Sequence, residues 1–386
     1  MQLIDYGMSA SRGFLSSFEL SDVALPSELA PVVEVAVNLS ALITSGRVQH
    51  WLRAMPLVDL TGFAASAPDD QVRAAMVRYS FLVQAYVWGE AETPSVLPAN
   101  LAVPMVALAD RLGQAPLLPY SGYVLDNWAR IDCDGPIALD NIQMIQHFVG
   151  GDDENWFVLI HVAIEAAAGE ALQYACELVE CANAGDVAGA TQRLQAMAGV
   201  WARINAIFDR MPERCDPYIY YQRVRPYIHG WANNPALPDG LVYEGVARFG
   251  GVGQAYRGQT GSQSSIVPAM DALFGVDHSN DPLRAFLDEL HAYRPMPHRA
   301  FIDDLRAASS LRAFALAADD AALRQAFNAI VLAVAAFRTR HLEYAASYIN
   351  RQASSAPGND TEVGTGGTPF MKYLKKHRDE NRAQVI

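Results

Sequence analysis

The segment FRTRHLEY, residues 337–344, sets a histidine and two arginines inside the helical stretch LRQAFNAIVLAVAAFRTRHLEYAASYI, which holds neither Pro nor Gly. An imidazole in so apolar a setting requires a partner, because an unpaired buried polar group costs roughly 1–3 kcal/mol. A carbonyl, a carboxylate or a metal would each serve. Arg338 lies one helical turn before His341, and Tyr344 and Ala345 one turn after it, so these positions share a face. An imidazole with a guanidinium one turn away suits an iron macrocycle that bears carboxylates: the iron takes the axial His and the propionates take Arg. A satisfied core histidine and an ordinary salt bridge are the plainer readings of the same two residues.

A second dense stretch is MPERCDPYIYYQRVRPYIHGW, residues 211–231. Tyr218, Tyr220, Tyr221, Arg223, Arg225, Tyr227 and Trp231 combine aromatic rings with fixed positive charge. That is what an aromatic amino acid requires: rings to stack on, and a fork of donors for its carboxylate. Aromatics packed in a core would look the same. His161, in WFVLIHVAIEA, is a lone histidine on an apolar helix. The chain contains no HExxH, no histidine pair at i, i+4 and no GxSxG. The glycine-rich zone FGGVGQAYRGQTGSQSS, residues 249–265, has no GxxxxGK[ST], and Tyr256 breaks a GxGxxG spacing. It reads as a flexible connection or, less simply, as a loop that closes over a ligand.

The elements that must position these residues are helical. FVLIHVAIEAAAGEALQYACELVECANA and TQRLQAMAGVWARINAIFDRM place apolar residues at three- and four-residue spacing, and alternating strand candidates are almost absent. The fold class read from these patterns is mostly α. Pro94, Pro98, Pro104, Pro116 and Pro119 mark an irregular passage, GDDEN at 151–155 reads as an acidic loop ahead of a helix, and SSAPGNDTEVGTGGTP at 354–369 reads as a further irregular zone. A boundary near residue 147 divides the chain into a smaller unit, 1–147, and a larger one, 148–386.

With 386 residues, 51% hydrophobic and 18% charged, the chain is an ordinary folded protein. Its net charge of −13 argues against nucleic acid as a partner. The longest unbroken apolar run, residues 329–337, is about half of a membrane span, so no membrane is expected. The N-terminus does not read as a signal peptide, and four cysteines without a CxxC pair suggest reduced thiols in the cytoplasm.

RGFL (12–15), LPANLAVPM (97–105), PYSGYVLDNW (119–128), the 211–231 stretch, GLVYEGV (240–246), SQSSIVPAMDALFGV (262–276), RPMPHRAFIDDL (294–305), FRTRHLEYAASYI (337–349) and GTGGTPFMKYL (364–374) occur in one order along the chain. In these strings the chain resembles the indoleamine 2,3-dioxygenase family over nearly its whole length. The resemblance implies a two-domain, all-α protein with haem b that opens the pyrrole ring of an indole with O₂, its partners being tryptophan or a related indoleamine and O₂. It implies His341 as the proximal iron ligand, Arg338 beside the haem, and Asp271 as a carboxylate behind the proximal side that tunes the imidazole. It assigns Arg225 to the substrate carboxylate. Tyr120, Phe157 and Tyr220 would form the distal wall, with Tyr123 and Val124 deeper. Thr260 and Gly261 would be the substrate-facing loop, with Gly261 also against the cofactor, and Thr365 would close over the amino acid.

Three positions depart from the family pattern. His161 stands where many members have Ser, Tyr220 where Phe is common, and Thr260–Gly261 in place of Ser-Ala. The related tryptophan 2,3-dioxygenases carry a distal His that accepts a hydrogen bond from the indole N–H, and His161 is expected to orient the substrate in that way. A peroxygenase or monooxygenase acting on a tryptophan derivative, and a haem-binding or sensor protein without turnover, are the competing readings.

Overall fold

The computed structural model describes residues 1–276, 282–352, 364–366 and 370–386. The helices that frame the site are, in chain order, α1 (Asp69–Trp88), α2 (Ala99–Leu112), α3 (Asp152–Ala184), α4 (Val187–Asp209), α5 (Ile266–Phe274), α6 (Pro282–His291), α7 (Met296–Ala308), α8 (Ala321–Ala345) and α9 (Phe370–Arg382). Strand is confined, among the described residues, to two short pairs. Val96–Leu97 runs parallel to Val242–Tyr243, and Trp128–Arg130 runs antiparallel to Ile142–Met144. The all-α expectation is met.

α3 is the spine, and its ends follow from local chemistry. Asp152, Asp153 and Glu154 occupy its first turn, where carboxylates favour the positive end of the helix. Glu154 accepts from the backbone N–H groups of Phe148, Val149 and Gly150 at 2.8, 2.9 and 2.7 Å, which satisfies the chain just ahead of the helix. Gly185, at φ +69°, stops α3 in the left-handed conformation, and Asp186 caps α4 through the N–H of Gly189. The short turn forces α3 and α4 antiparallel, and α8 packs on α4.

Two hydrophobic cores share α3. One gathers Tyr79, Phe81 and Tyr86 of α1 with Leu101 and Met105 of α2, Trp128 and Phe148, and takes Val158 and Val162 from α3. The other takes Trp156, Ile160 and Ile164 from α3 with Trp201 and Phe208 of α4 and Phe327 and Val331 of α8. Leu3, Met8 and Phe14 pack in this second core. RGFL meets α3 through Gly13, at φ +58°, which lies so close to the Glu165 carbonyl and to Gly169 that no Cβ fits there.

Three sequence expectations are refined. GDDEN is not a loop from end to end, because α3 already starts at Asp152. The proline-marked passage contains α2, fourteen residues long, with Pro104 inside it. Pro104 removes one helical hydrogen bond, and the burial of Leu101, Met105 and Leu108 offsets that loss. The 354–369 zone lies outside the described residues except for Gly364, Thr365 and Gly366. Asp152–Ala184 and Ala321–Asn350 are long and apolar enough to cross a membrane by length and composition, but 72% of the apolar window of the first is buried inside the protein.

Candidate functional site

Helices α3 to α9 and the glycine-rich segment line a cavity of about 220 Å³. A smaller lobe of about 130 Å³ adjoins it, and both are lined by His161, Phe208, Gly261, Ser262, His341 and Leu374. The two histidines that the sequence offered singly are thus on one cavity, although 180 residues separate them.

His341 projects from α8. Burial lowers its pKa to about 4, and the nearness of His161 disfavours protonating both imidazoles together, so this one is neutral and its bare nitrogen can ligate. Among the described residues it has no hydrogen-bond partner. Phe208 of α4 packs on both imidazoles, at ring-centroid distances of 6.4 Å to His341 and 6.5 Å to His161. Gly261 stands in front of the ligating edge: a Cβ there would sit 3.8 Å from Cε1 and 3.9 Å from Nε2 of His341.

His161 projects from α3 with Nδ1 2.6 Å from the Phe157 carbonyl. A carbonyl only accepts, so Nδ1 carries the proton and Nε2 is an acceptor. Burial lowers the pKa of this imidazole too, which keeps it neutral. The Phe157 ring lies 4.8 Å from it and 4.7 Å from Tyr220, which in turn packs edge-on against Tyr348. These rings line the smaller lobe with Thr260 and Thr365, while Tyr120 lines the larger one. Tyr123, Tyr220 and Tyr348 each sit in a π-helical turn, Ser121–Leu125, Tyr220–Val224 and Ala346–Asn350, a distortion that often marks functional positions.

Two expected wall residues stand one layer back. Tyr123 and Val124 line neither lobe; Tyr123 packs behind Phe157 at 6.4 Å. Arg225 is also outside the lining. It is 0% exposed, lies 5.3 Å over the Tyr221 ring, and sits near enough to Tyr220 for its charge to oppose the rise that burial imposes on that phenol. Arg225 thus lies near Tyr220 of the smaller lobe without lining it.

At the rim of the larger lobe, Arg338 donates from Nη2 to Asp271 at 2.6 Å and from Nη1 to the His377 carbonyl at 3.3 Å. The expectation that Asp271 tunes the imidazole is refined here: its carboxylate is engaged by the guanidinium. Arg294, at the head of α7, lines the same lobe. It donates to the carbonyls of Ser262 (2.8 Å) and Ser264 (3.2 Å), and burial lowers its pKa to about 10.

The glycine-rich segment proves to be a held wall. Gly258 packs backbone to backbone with Gly230, leaving no room for a Cβ on either. Gln263 donates to the Gly258 carbonyl (3.0 Å) and accepts from the Tyr120 N–H (2.9 Å). Thr365 Oγ1 donates to the Gln259 carbonyl at 2.6 Å, and Arg257 reaches the Gly366 carbonyl at 2.9 Å. Phe208, Arg294, Ser264 and Glu165 also line the cavity, though nothing in their local sequence singled them out as site residues except at Glu165. Glu165 had a signal: it is a carboxylate four residues after His161 in an otherwise apolar IHVAIEAAAG.

The donor set fits haem. A neutral imidazole without a hydrogen-bond partner, a glycine before its free nitrogen, apolar walls from Ile164, Phe208, Val267, Phe337 and Leu374, and an anchored arginine at the rim suit a planar iron macrocycle with carboxylates.

The family model for indoleamine 2,3-dioxygenase matches residues 2–384. The chain is 33% identical to human indoleamine 2,3-dioxygenase 2, over 100% of this chain and 96% of that protein. It is 30% identical to rat indoleamine 2,3-dioxygenase 1, again over 100% and 96%. To the indoleamine 2,3-dioxygenase of Saccharomyces cerevisiae it is 29% identical, over 91% and 86%.

Proposed function

This chain belongs to the indoleamine 2,3-dioxygenase family, and from that premise we propose that it adds both atoms of O₂ across the indole C2–C3 bond of tryptophan or a related indoleamine. The product is of N-formylkynurenine type. The observation that carries this reading is the meeting of His341 and His161 on one cavity whose far lobe is aromatic.

His341 would hold the iron, Arg338 a propionate, and Gly261 leaves space for the macrocycle. Haem bound there would supply the oxygen activation. The chain's own part is to bind, orient and exclude water. Phe157, Tyr220 and Tyr348 stack the indole. His161 Nε2, fixed as an acceptor by the Phe157 carbonyl, takes the indole N–H and sets which edge of the ring faces inward. Arg225, near Tyr220, supplies the charge for the carboxylate, and Thr365 closes the lobe from the loop side. Neither the peroxygenase reading nor the sensor reading gains support from the relatives.

A domain boundary near residue 147 would fall just ahead of α3 and leave most of the first core on its N-terminal side. A cytoplasmic location belongs to the same proposal, on four cysteines that contain no CxxC pair. The test of function is hemin loading of the wild type and of His341→Ala, read by absorption, followed by turnover of tryptophan. A His-type Soret band lost in the variant, and a formylkynurenine-type product from the wild type, are expected. Identical spectra would overturn the ligand assignment.

A further inference from the structure

Glu165 is fully buried on α3, one turn beyond His161, and borders the larger lobe. Its Oε1 accepts two hydroxyl hydrogen bonds, from Tyr120 Oη at 2.9 Å and Ser264 Oγ at 2.8 Å. Oε2 is buried with no partner, and no cation pairs with the carboxyl among the described residues. Such a group is a poor stabiliser, since an apolar residue of like volume would avoid its desolvation. What it does achieve is geometric. Tyr120 and Ser264 come from separate segments, and both are donors that point at one oxygen.

The two donors are joined a second time, because the backbone N–H of Tyr120 donates to Gln263. Tyr120, Glu165, Ser264 and Gln263 thus close a ring that ties the glycine-rich segment to α3. From the other side Arg294 holds the carbonyls of Ser262 and Ser264. Between these anchors and Gly258 the chain must pass through Thr260 and Gly261, the part that faces His341 and the smaller lobe.

We propose that Glu165 is a positioning residue: by gathering Tyr120 and Ser264 on one oxygen it fixes the Thr260–Gly261 edge at which the substrate is read. This deepens the dioxygenase reading and depends on it only where kinetics are used. A single oxygen that accepts twice is the whole requirement, so glutamine meets it and leucine does not.

The test compares Glu165→Leu, Glu165→Gln and the double variant Tyr120→Phe/Ser264→Ala, the last of which keeps the carboxyl and removes both donors. Two readouts are taken: amide hydrogen exchange of the peptide covering 258–265, and KM and kcat for L-tryptophan in the haem-loaded protein. Glu165→Leu and the double variant are expected to speed exchange in that peptide and raise KM about ten-fold, with kcat within about three-fold, the loss of one to two buried hydrogen bonds. Glu165→Gln is expected to restore both. Wild-type exchange and KM in the double variant would overturn the proposal, as would a fall in kcat at constant KM. If Glu165→Leu does not fold, the double variant decides alone. A wild type that binds haem but turns over neither tryptophan nor a related indoleamine such as tryptamine would overturn the proposed function, and the exchange measurement would still decide the role of Glu165.

Discussion

Arg338 and Asp271 form a 2.6 Å ion pair from which water is almost wholly excluded, at 7% and 5% exposure. The pair fixes a guanidinium at the rim of the cavity, on the same helix as His341 and one turn before it. Removing one partner of a buried pair leaves the other charge uncompensated, at roughly 3–5 kcal/mol. Asp271→Ala is therefore expected to lower the urea midpoint of the haem-free protein and to weaken hemin binding, followed by titration of the Soret band. Unchanged hemin affinity would show that Arg338 keeps its place without the carboxylate.

Gly258 is the tightest point of the loop wall. A Cβ on it would meet the carbonyls of Ile228 and Thr365 at 2.5 Å and press on the Gly230 nitrogen. None of these is the end of a flexible side chain, so the backbone itself must move. Gly258→Ala is expected to destabilise the protein by about 1–3 kcal/mol and to raise KM more than it lowers kcat, because the segment displaced is the one that carries Thr260. Gly250, in the same zone, meets nothing within 4 Å and serves as the control, although its φ of +58° adds a small strain of its own.

The contrast between these residues explains what was legible in the sequence. His341 and Arg338 were, because their shared face follows from helical spacing alone. His161 was visible as a polar residue in an apolar run, but its opposition to His341 is a tertiary fact. Asp271 was visible as a family acid, yet only packing shows that it serves Arg338. Glu165 carried the same kind of signal as His161, a polar group inside IHVAIEAAAG, and was missed because its partners lie 45 and 99 residues away. Glycines were the least legible. Gly258 and Gly250 look alike in FGGVGQAYRGQTGSQSS, and only the chain folded against them makes one indispensable.

Arg225 is fully buried near Tyr220 and lines neither lobe. If its charge holds the substrate carboxylate, Arg225→Ala should raise KM by roughly 10- to 150-fold, which corresponds to the 1.5–3 kcal/mol of a charge-assisted hydrogen bond. Hemin binding should be unchanged, which separates this effect from general damage to the site. An unaltered KM would remove Arg225 from the binding role.

His161 presents an acceptor nitrogen to the cavity, because Nδ1–H is committed to the Phe157 carbonyl. An N-methylated indole has no proton to give it. The wild type is therefore expected to favour tryptophan over its N1-methyl analogue in kcat/KM, and His161→Ser to narrow that preference by about ten-fold, one hydrogen bond's worth. Equal preference in wild type and variant would mean that the imidazole does not read the indole N–H.

Two buried groups should oppose one another in the pH dependence of stability. Burial raises the Glu165 pKa from 4.5 to about 7. As pH falls, the folded state takes up this proton before the unfolded chain does, so Glu165 contributes stability that is full below pH 4.5 and lost as pH rises through 7. Burial, with Arg73 and Arg294 nearby, lowers His298 from 6.5 to about 3. Here the unfolded chain protonates first, so the stability is present above pH 6.5 and lost as pH falls toward 3. A tenfold difference in proton affinity between folded and unfolded chain corresponds to about 1.4 kcal/mol, and between pH 6.5 and 4.5 the two slopes cancel. Below 4.5 only the His298 loss continues. Glu165→Gln should therefore bring the acid decline forward, losing about 3 kcal/mol relative to wild type between pH 7.5 and 4.5. His298→Gln should abolish the decline that wild type shows from pH 4.5 to 3. Urea midpoints at half-unit pH steps would show this, and curves for wild type and Glu165→Gln that run parallel would mean the carboxyl is not protonated in the fold near neutrality.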